Sequence, residues 1–290
     1  MKAELEAKCS AVENALKCYF TEKTDYSVLL EAMGYSLMAG GKRLRPVFLL
    51  AFCEAVGGVE EKALPAACAV EMVHTYSLIH DDLPCMDNDD FRRGRPTCHK
   101  VYGDDIATLA GDALLTAAFE TLSTMEVPAE QAIACVRLLS AGAGEHGMVA
   151  GQVLDMEGEK HLLTEEELRA VHIRKTGCLI RAACQMGTVL GGGTEQQIAA
   201  AGDFAIHLGL AFQIRDDMLD EISSQEQLGK PIGSDVENGK STFVTLFGLE
   251  QCQRLVEQET EKALAALQAG NFKNTDFLER LALSLTSRMS

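Results

Sequence analysis

Apolar side chains recur along this chain at three- and four-residue intervals, the period of a helix face rather than of a strand. From Ala63 to His80 they fall at Ala69, Met72, Val73, Tyr76 and Ile79, an i, i+3/i+4, i+7, i+10 spacing. The same rhythm predicts helix through Val47–Val56, Asp104–Met125, Ala129–Ala143, Glu165–Leu190, Gln196–Leu219 and Thr242–Leu267. Alternating strand patterns with hairpin turns are scarce, because Ala and Leu outnumber Val and Ile. Leu179–Leu190 and Ala199–Ala211 are apolar on more than one face, which suits helices at the centre of a bundle. Local punctuation agrees. Thr164 followed three residues later by Glu167 has the form of a capping box, and Gly191-Gly192-Gly193 ends the preceding helix. No Pro-, Ser- or Gly-rich linker divides the pattern, so residues 1–290 read as one all-α domain.

Composition narrows the function classes. The longest apolar run has the size of Val47–Cys53, well short of the ~20 residues that cross a bilayer. The start, Met1-Lys2-Ala3-Glu4-Leu5-Glu6, lacks the apolar core of a secretory signal, and a cytoplasmic protein without membrane insertion is expected. A net charge of -17 argues against nucleic acid as a partner, since duplex binding rests on neutralising phosphates, and it opposes anionic membranes as well. The 10 cysteines include no Cys-x-x-Cys pair. Cys53, Cys68, Cys135 and Cys184 lie in Ala/Leu/Val-rich segments and read as small buried hydrophobes in a reducing compartment.

Two acidic clusters stand out against this background: Asp81-Asp82-Leu83-Pro84-Cys85-Met86-Asp87-Asn88-Asp89-Asp90 and Asp216-Asp217-Met218-Leu219-Asp220. An acidic cluster on a helix is usually a solvated face. Here each directly follows an apolar stretch, so both sit at the top of a buried helix. Gln213, Asp216, Asp217 and Asp220 fall at i, i+3, i+4 and i+7, on one face. Crowded carboxylates repel unless a cation neutralises them, and hard oxygen donors in that arrangement suit Mg²⁺ shared with substrate phosphates. Asp81 and Asp87 would diverge on a continuous helix. Pro84 disfavours helical geometry at Leu83, and a bulged segment there would bring Asp87 back beside Asp81.

Basic residues answer them. Six of the 26 Lys and Arg residues crowd into Gly40-Gly41-Lys42-Arg43-Leu44-Arg45-Pro46 and Arg92-Arg93-Gly94-Arg95-Pro96. Glycine lets backbone approach an anion closely, and Arg grips phosphate oxygens in a fork. Lys175-Thr176-Gly177 and Gly229–Asp235, leading to Lys240-Ser241-Thr242, are further candidates. None matches the P-loop pattern, so no nucleotide triphosphate site is indicated. The arrangement suggests one diphosphate held through Mg²⁺ by carboxylates and a second held directly by Lys and Arg. His74, seven residues before Asp81, lies within ~20° of it around the helix, one stripe below an anion site.

The motifs Gly40–Pro46, His74–Asp90 running into Arg92-Arg93-Gly94, Gly151-Gln152-Val153-Leu154-Asp155, Lys175-Thr176-Gly177, Phe212–Asp220, and Lys230 with Lys240 together resemble the trans-prenyltransferase (polyprenyl synthase) family. They are in the family's order, span roughly residues 35 to 248, and look most like its bacterial-type short-chain members. The resemblance implies an isoprenoid synthase fold: ten or more helices around a central cavity, usually in a homodimer. It implies Mg²⁺ on Asp81, Asp82 and Asp87 and on Asp216, Asp217 and Asp220. Arg92, Lys175, Lys230 and Lys240 would hold the allylic diphosphate. Lys42, Arg45, His74 and Arg93 would hold isopentenyl diphosphate, and Thr176 and Gln213 would present oxygen dipoles to an allylic cation. Arg95 and Phe91 stand where Lys and Leu are frequent in the family, departures that leave the activity expected.

Product length is also an expectation from the resemblance. The residue five before the first aspartate, here Tyr76, acts in the family as the floor of the tail pocket, and an aromatic there favours farnesyl over geranylgeranyl diphosphate. Helical geometry alone would instead pick Ser77, four before Asp81, because Tyr76 lies ~140° away around the helix. A terpene cyclase would lack Lys42, Arg45 and His74, and a non-catalytic subunit would lack motif aspartates; this chain keeps all of them.

Overall fold

The computed structural model describes residues 1–228 and 241–287; Lys230 and Lys240 lie outside the described residues. The helices are α1 (Lys2–Leu16), α2 (Ser27–Leu37), α3 (Leu44–Ala55), α4 (Glu60–Asp81), α5 (Cys98–Tyr102), α6 (Asp104–Ser123) and α7 (Ala129–Ala143). They continue as α8 (Met148–Gly158), α9 (Glu165–His172), α10 (Cys178–Leu190), α11 (Glu195–Leu228), α12 (Phe243–Gly270) and α13 (Asp276–Ser287). The fold is all-α, as the periodicity predicts. Every helix expected from the apolar stripes is present.

The centre is built where the sequence is apolar all round. In α3, each residue from Pro46 to Cys53 is buried, and in α10 each from Ala182 to Thr188. These two helices pack on each other, with α4 beside α3 and α11 beside α10. Phe48, Phe52, Phe204 and Phe272 join α3, α11 and the α12–α13 loop through edge-on rings with centroids 5.3 to 5.9 Å apart, a geometry that adds to their burial. Cys53, Cys68, Cys135 and Cys184 are buried in this core, and burial pushes the Cys68 and Cys135 thiols up to about 12. Among the described residues no helix is long and apolar enough to cross a membrane.

The structure departs from the periodic reading in three places that matter for the site. The stripe from Glu165 to Leu190 is interrupted by a π turn, Ile173–Gly177, between α9 and α10. Thr164 caps α9 through the expected box with Glu167. A two-stranded hairpin, β1 (Phe91–Arg92) with β2 (Arg95–Pro96), follows the first acidic motif, pairing Arg92 with Arg95. Its central residues, Arg93 (φ 53°) and Gly94 (φ 75°), both take left-handed backbone, as a tight two-residue hairpin turn needs. Helix α12 contains a kink, because Gly248 has φ 73° and ψ 163°. Helices α1, α2, α5, α8 and α13 are not predicted by the apolar stripes. Helix α1 buries only Lys8, Val12 and Leu16, a stripe too thin to stand out.

One buried ionic knot ties α9, α11 and α12 together. Glu259, 3 % exposed, bonds His207 Nδ1 at 2.7 Å and Lys262 Nζ at 2.8 Å, with Arg169 at 3.6 Å. Burial alone would raise the Glu259 carboxyl, but the bonds and charges of His207 and Lys262 outweigh it and hold the group at about 2, against an ordinary 4.5. A depressed carboxylate stabilises the fold above its unfolded value, and that contribution is lost as pH falls through the folded one. Glu259→Gln should therefore be less stable than wild type at pH 7 by about 1–3 kcal/mol. The gap should close between pH 4.5 and 2, which urea titrations across that range measure.

Candidate active site

The first acidic motif is placed by the end of α4. Helical geometry stops at Asp81, and the chain folds back so that the Asp87 amide donates to the Asp81 carbonyl at 2.8 Å and the Asn88 amide to the Leu83 carbonyl at 3.1 Å. The two aspartates that six residues separate are thus brought together. Asp81 is pushed up to about 6, chiefly by burial, with Asp87 and Asp82 adding like charge against the opposing fields of Lys175 and Arg92. Asp82 has another occupation. Its Oδ1 accepts from Arg92 Nε at 2.6 Å, while Arg92 Nη2 reaches Asp89 at 3.3 Å. The hairpin turn aims this guanidinium back at the motif and sends Arg93 the other way, onto the Gly40 carbonyl.

The second motif lies on α11. Burial is the main cause that pushes Asp216 up to about 6; Asp220 adds to it and Lys42 opposes it. One Asp217 oxygen accepts from the Phe243 amide at 2.8 Å, which fastens α11 to the first turn of α12. Of the six carboxylates expected on metal, Asp82 and Asp217 each hold protein atoms, and like charge from neighbouring carboxylates adds to burial at Asp81 and Asp216. Among the described residues no three His, Cys, Asp or Glu side chains converge closely enough to hold a metal ion by themselves. Hard carboxylate oxygens suit Mg²⁺, which takes one or two carboxylates and completes its shell with water and phosphate oxygens.

The π turn joins the two motifs. It sets Lys175 and Thr176 side by side: Lys175 Nζ bonds Asp155 of α8 at 2.5 Å, and the Thr176 hydroxyl donates to Gln213 Oε1 at 3.1 Å. Gly151 makes this possible, because a Cβ on it would lie 2.1 Å from the Lys175 amide nitrogen. Such inserted turns commonly mark functional sites.

Below the carboxylates lies a patch of cationic and neutral nitrogen donors. Arg45 Nη1 and His74 Nε2 are 3.3 Å apart, and Arg45 Nε is buried with no hydrogen-bond partner among the described residues. Burial, opposed by Glu71 and reinforced by Arg93, lowers Arg45 to about 10; burial first and then the charges of Arg45 and Arg93 drive His74 well below its ordinary value. A neutral imidazole beside an incompletely bonded guanidinium is a place that an anion would complete. Lys42 stands apart, its Nζ 5.4 Å from the Phe212 ring. Arg43, from the same basic run, is structural: its Nη1 bonds Glu71 at 2.6 Å and its Nη2 the Leu37 carbonyl at 2.8 Å.

A cavity of about 470 Å³ opens between α4 and α8. Asp81, Arg45, His74, Lys175 and Thr176 line its polar part; Tyr76, Met148, Val149, Val153 and Met156 line its apolar part. A smaller one of about 80 Å³ shares Arg45 and Thr176 with it and continues to Phe212 and Gln213. Tyr76 and Ser77 both face the large cavity, so the angle between them does not exclude either. The apolar wall of α8 was missed in the sequence, although Val149 and Val153 stand four residues apart and Met148 and Met156 eight.

Residues 26–280 match the polyprenyl synthetase family model. The chain belongs to that family. It is similar to farnesyl diphosphate synthase of Geobacillus stearothermophilus, with 48% identity over 248 residues, 84% of each chain. It is as similar to the large subunit 2 of heterodimeric geranylgeranyl pyrophosphate synthase of Arabidopsis thaliana, with 47% identity over 261 residues, 89% of this chain and 69% of that one. Among solved structures, an FPP/GFPP synthase from Zymomonas mobilis superposes with a TM-score of 0.87 at 33% identity, covering 98% of each chain. The protein is a short-chain trans-prenyl diphosphate synthase with the isoprenoid synthase fold.

The raised carboxylates of this polyprenyl synthetase carry a consequence for stability. A carboxyl that binds its proton more tightly folded than unfolded costs stability when ionised, and the cost disappears as pH falls from above 6 toward 3.8. Asp81→Asn and Asp216→Asn should each raise the melting temperature of the metal-free protein at pH 7.5 by about 2 °C or more. Scanning calorimetry in EDTA at pH 7.5 and 5.5 should show that advantage shrinking at the lower pH.

Proposed function

We propose that this synthase condenses isopentenyl diphosphate with dimethylallyl and then geranyl diphosphate to give farnesyl diphosphate. The observation that carries the product assignment is the aromatic ring of Tyr76 in the wall of the cavity, one position from the row that leads to Asp81. A tail growing from the carboxylate end meets that ring, and one helical turn, ~5.4 Å, is about one isoprene unit. The plant geranylgeranyl relatives match the chain equally well, so product length is what separates the two readings.

The proposed chemistry follows from the residue types. Asp81, Asp87, Asp216 and Asp220 would hold Mg²⁺ against the allylic diphosphate, with Asp82 and Asp217 bracing the two motifs. Bound Mg²⁺ would stabilise the negative charge that builds on the leaving diphosphate. Arg92 and Lys175 would grip the same diphosphate, Lys175 exchanging its contact with Asp155 for phosphate oxygens; Lys230 and Lys240 are assigned there from the family motif alone. Arg45, His74 and Arg93 would bind isopentenyl diphosphate at the anion-deficient patch, and Lys42, set apart over Phe212, is assigned there from the family motif. The hydroxyl oxygen of Thr176 and the amide oxygen of Gln213 would face the allylic carbon as its C–O bond breaks. The apolar walls keep water from the resulting cation. The isopentenyl double bond then attacks that carbon, and the proton lost from the adduct passes to the departed diphosphate. A cytoplasmic homodimer is the assembly this reading expects.

Incubating the pure protein with isopentenyl and dimethylallyl diphosphates and Mg²⁺, then sizing the alcohols released by phosphatase, should yield farnesol; a predominance of geranylgeraniol would select the rival. Asp81→Ala and Asp216→Ala should each cut turnover by about a hundredfold or more while leaving the melting curve cooperative. EDTA should do the same to wild type. Tyr76→Ala should lengthen the product, and an unchanged product from that variant would remove the ring from the floor.

A further inference from the structure

Tyr76 does not hold its place alone. One turn further along α4, on the same face, His80 presents its ring to that of Tyr76 with centroids 5.6 Å apart and planes at 82°. Both rings line the large cavity. The imidazole is fixed from the far side: its Nε2–H donates to the Thr108 carbonyl of α6 at 3.0 Å, which sets the tautomer. Asp112, the nearest charged group on α6, stays 3.9 Å from the same nitrogen. The slot that receives the ring exists only because residue 111 is glycine. A Cβ at Gly111 would sit 2.1 Å from His80 Nε2 and 2.4 Å from Cδ2, so a side chain there requires the imidazole to move.

We propose that His80 and Gly111 are specificity-determining positions that act through Tyr76: His80 buttresses the floor ring, and the missing side chain at Gly111 sets how deep that buttress sits. The inference rests on the reading of Tyr76 as the floor. Its physical content is that chain length depends on two packed layers. The tail presses on Tyr76, and Tyr76 presses on an imidazole held by a backbone carbonyl of the next helix. Removing the imidazole frees the Tyr76 ring to swing aside and deepens the pocket. Filling the Gly111 slot pushes the imidazole forward and makes the pocket shallower. In this scheme His80 is a positioning residue.

The test is the ratio of products, which a mere loss of folded enzyme does not move. His80→Ala should raise the ratio of twenty- to fifteen-carbon product by about fivefold or more. Gly111→Ala should shift products toward ten carbons. In the His80→Ala background, Gly111→Ala should have no further effect, since there is no ring to displace. In the Tyr76→Ala background, His80→Ala should likewise add nothing. If Tyr76→Ala lengthens the product but His80→Ala leaves the ratio within about twofold of wild type, the buttress is refuted while the floor survives. If Tyr76→Ala itself changes nothing, the floor falls and the buttress with it. Should Gly111→Ala fail to show a cooperative melt, His80→Ala alone and combined with Tyr76→Ala decides the matter.

Discussion

Charge held out of water is the constraint around which this structure is arranged. Asp81 and Asp216 sit where burial makes ionisation costly, and Arg45 and His74 sit where burial makes positive charge costly. The opposing charges within the described protein, Lys175 and Arg92 at Asp81, Lys42 at Asp216 and Glu71 at Arg45, do not outweigh that burial. Arg92 answers Asp82, and Lys175 leans on Asp155, but the groups nearest the cavity keep their deficit. Fields of this kind are strongest in a low dielectric and need no rearrangement when a ligand of opposite sign arrives. A diphosphate and its counter-ion are what such a cavity lacks.

Holding those groups in place requires a scaffold that does not yield. Helices α3 and α10 supply it, because they are buried on every side and packed between α4 and α11. The polar elements are then hung from their ends: the fold-back after Asp81, the tight hairpin that aims Arg92, and the π turn that pairs Lys175 with Thr176. Each is a local departure from regular helix, and the first two place non-glycine residues in left-handed backbone, Asn88 at φ 54° and Arg93 at φ 53°, which costs something in isolation. The regular core offsets that cost.

The helical framework was legible because its signal is periodic and repeated over many residues. The clustering of Gln213 with Asp216, Asp217 and Asp220 was legible for the same reason, and the return of Asp87 followed from the proline at 84. What could not be read were features that depend on contacts between segments. Arg43 looks like Arg45 in a basic run, yet it is turned inward to Glu71 and the Leu37 carbonyl. Asp82 and Asp217 look like their neighbours, yet Arg92 and the Phe243 amide claim them. The hairpin has strands of two residues, too short for any alternation to register. The π turn hides inside an apolar stripe whose average period it barely disturbs.

That turn has an implication for how the site can change over time. An inserted residue in a helix rotates everything after it by ~100°. Loss of one codon anywhere in Ile173–Gly177 would therefore close the helix into a smoother, better-bonded rod. The repair would cost the alignment of Lys175 with Asp155 and of Thr176 with Gln213, and it would swing the whole inner face of α10 off α3. A single-residue deletion at this point would thus be opposed by the core as much as by the chemistry, whereas an exchange of side chains lining the cavity leaves that packing in phase.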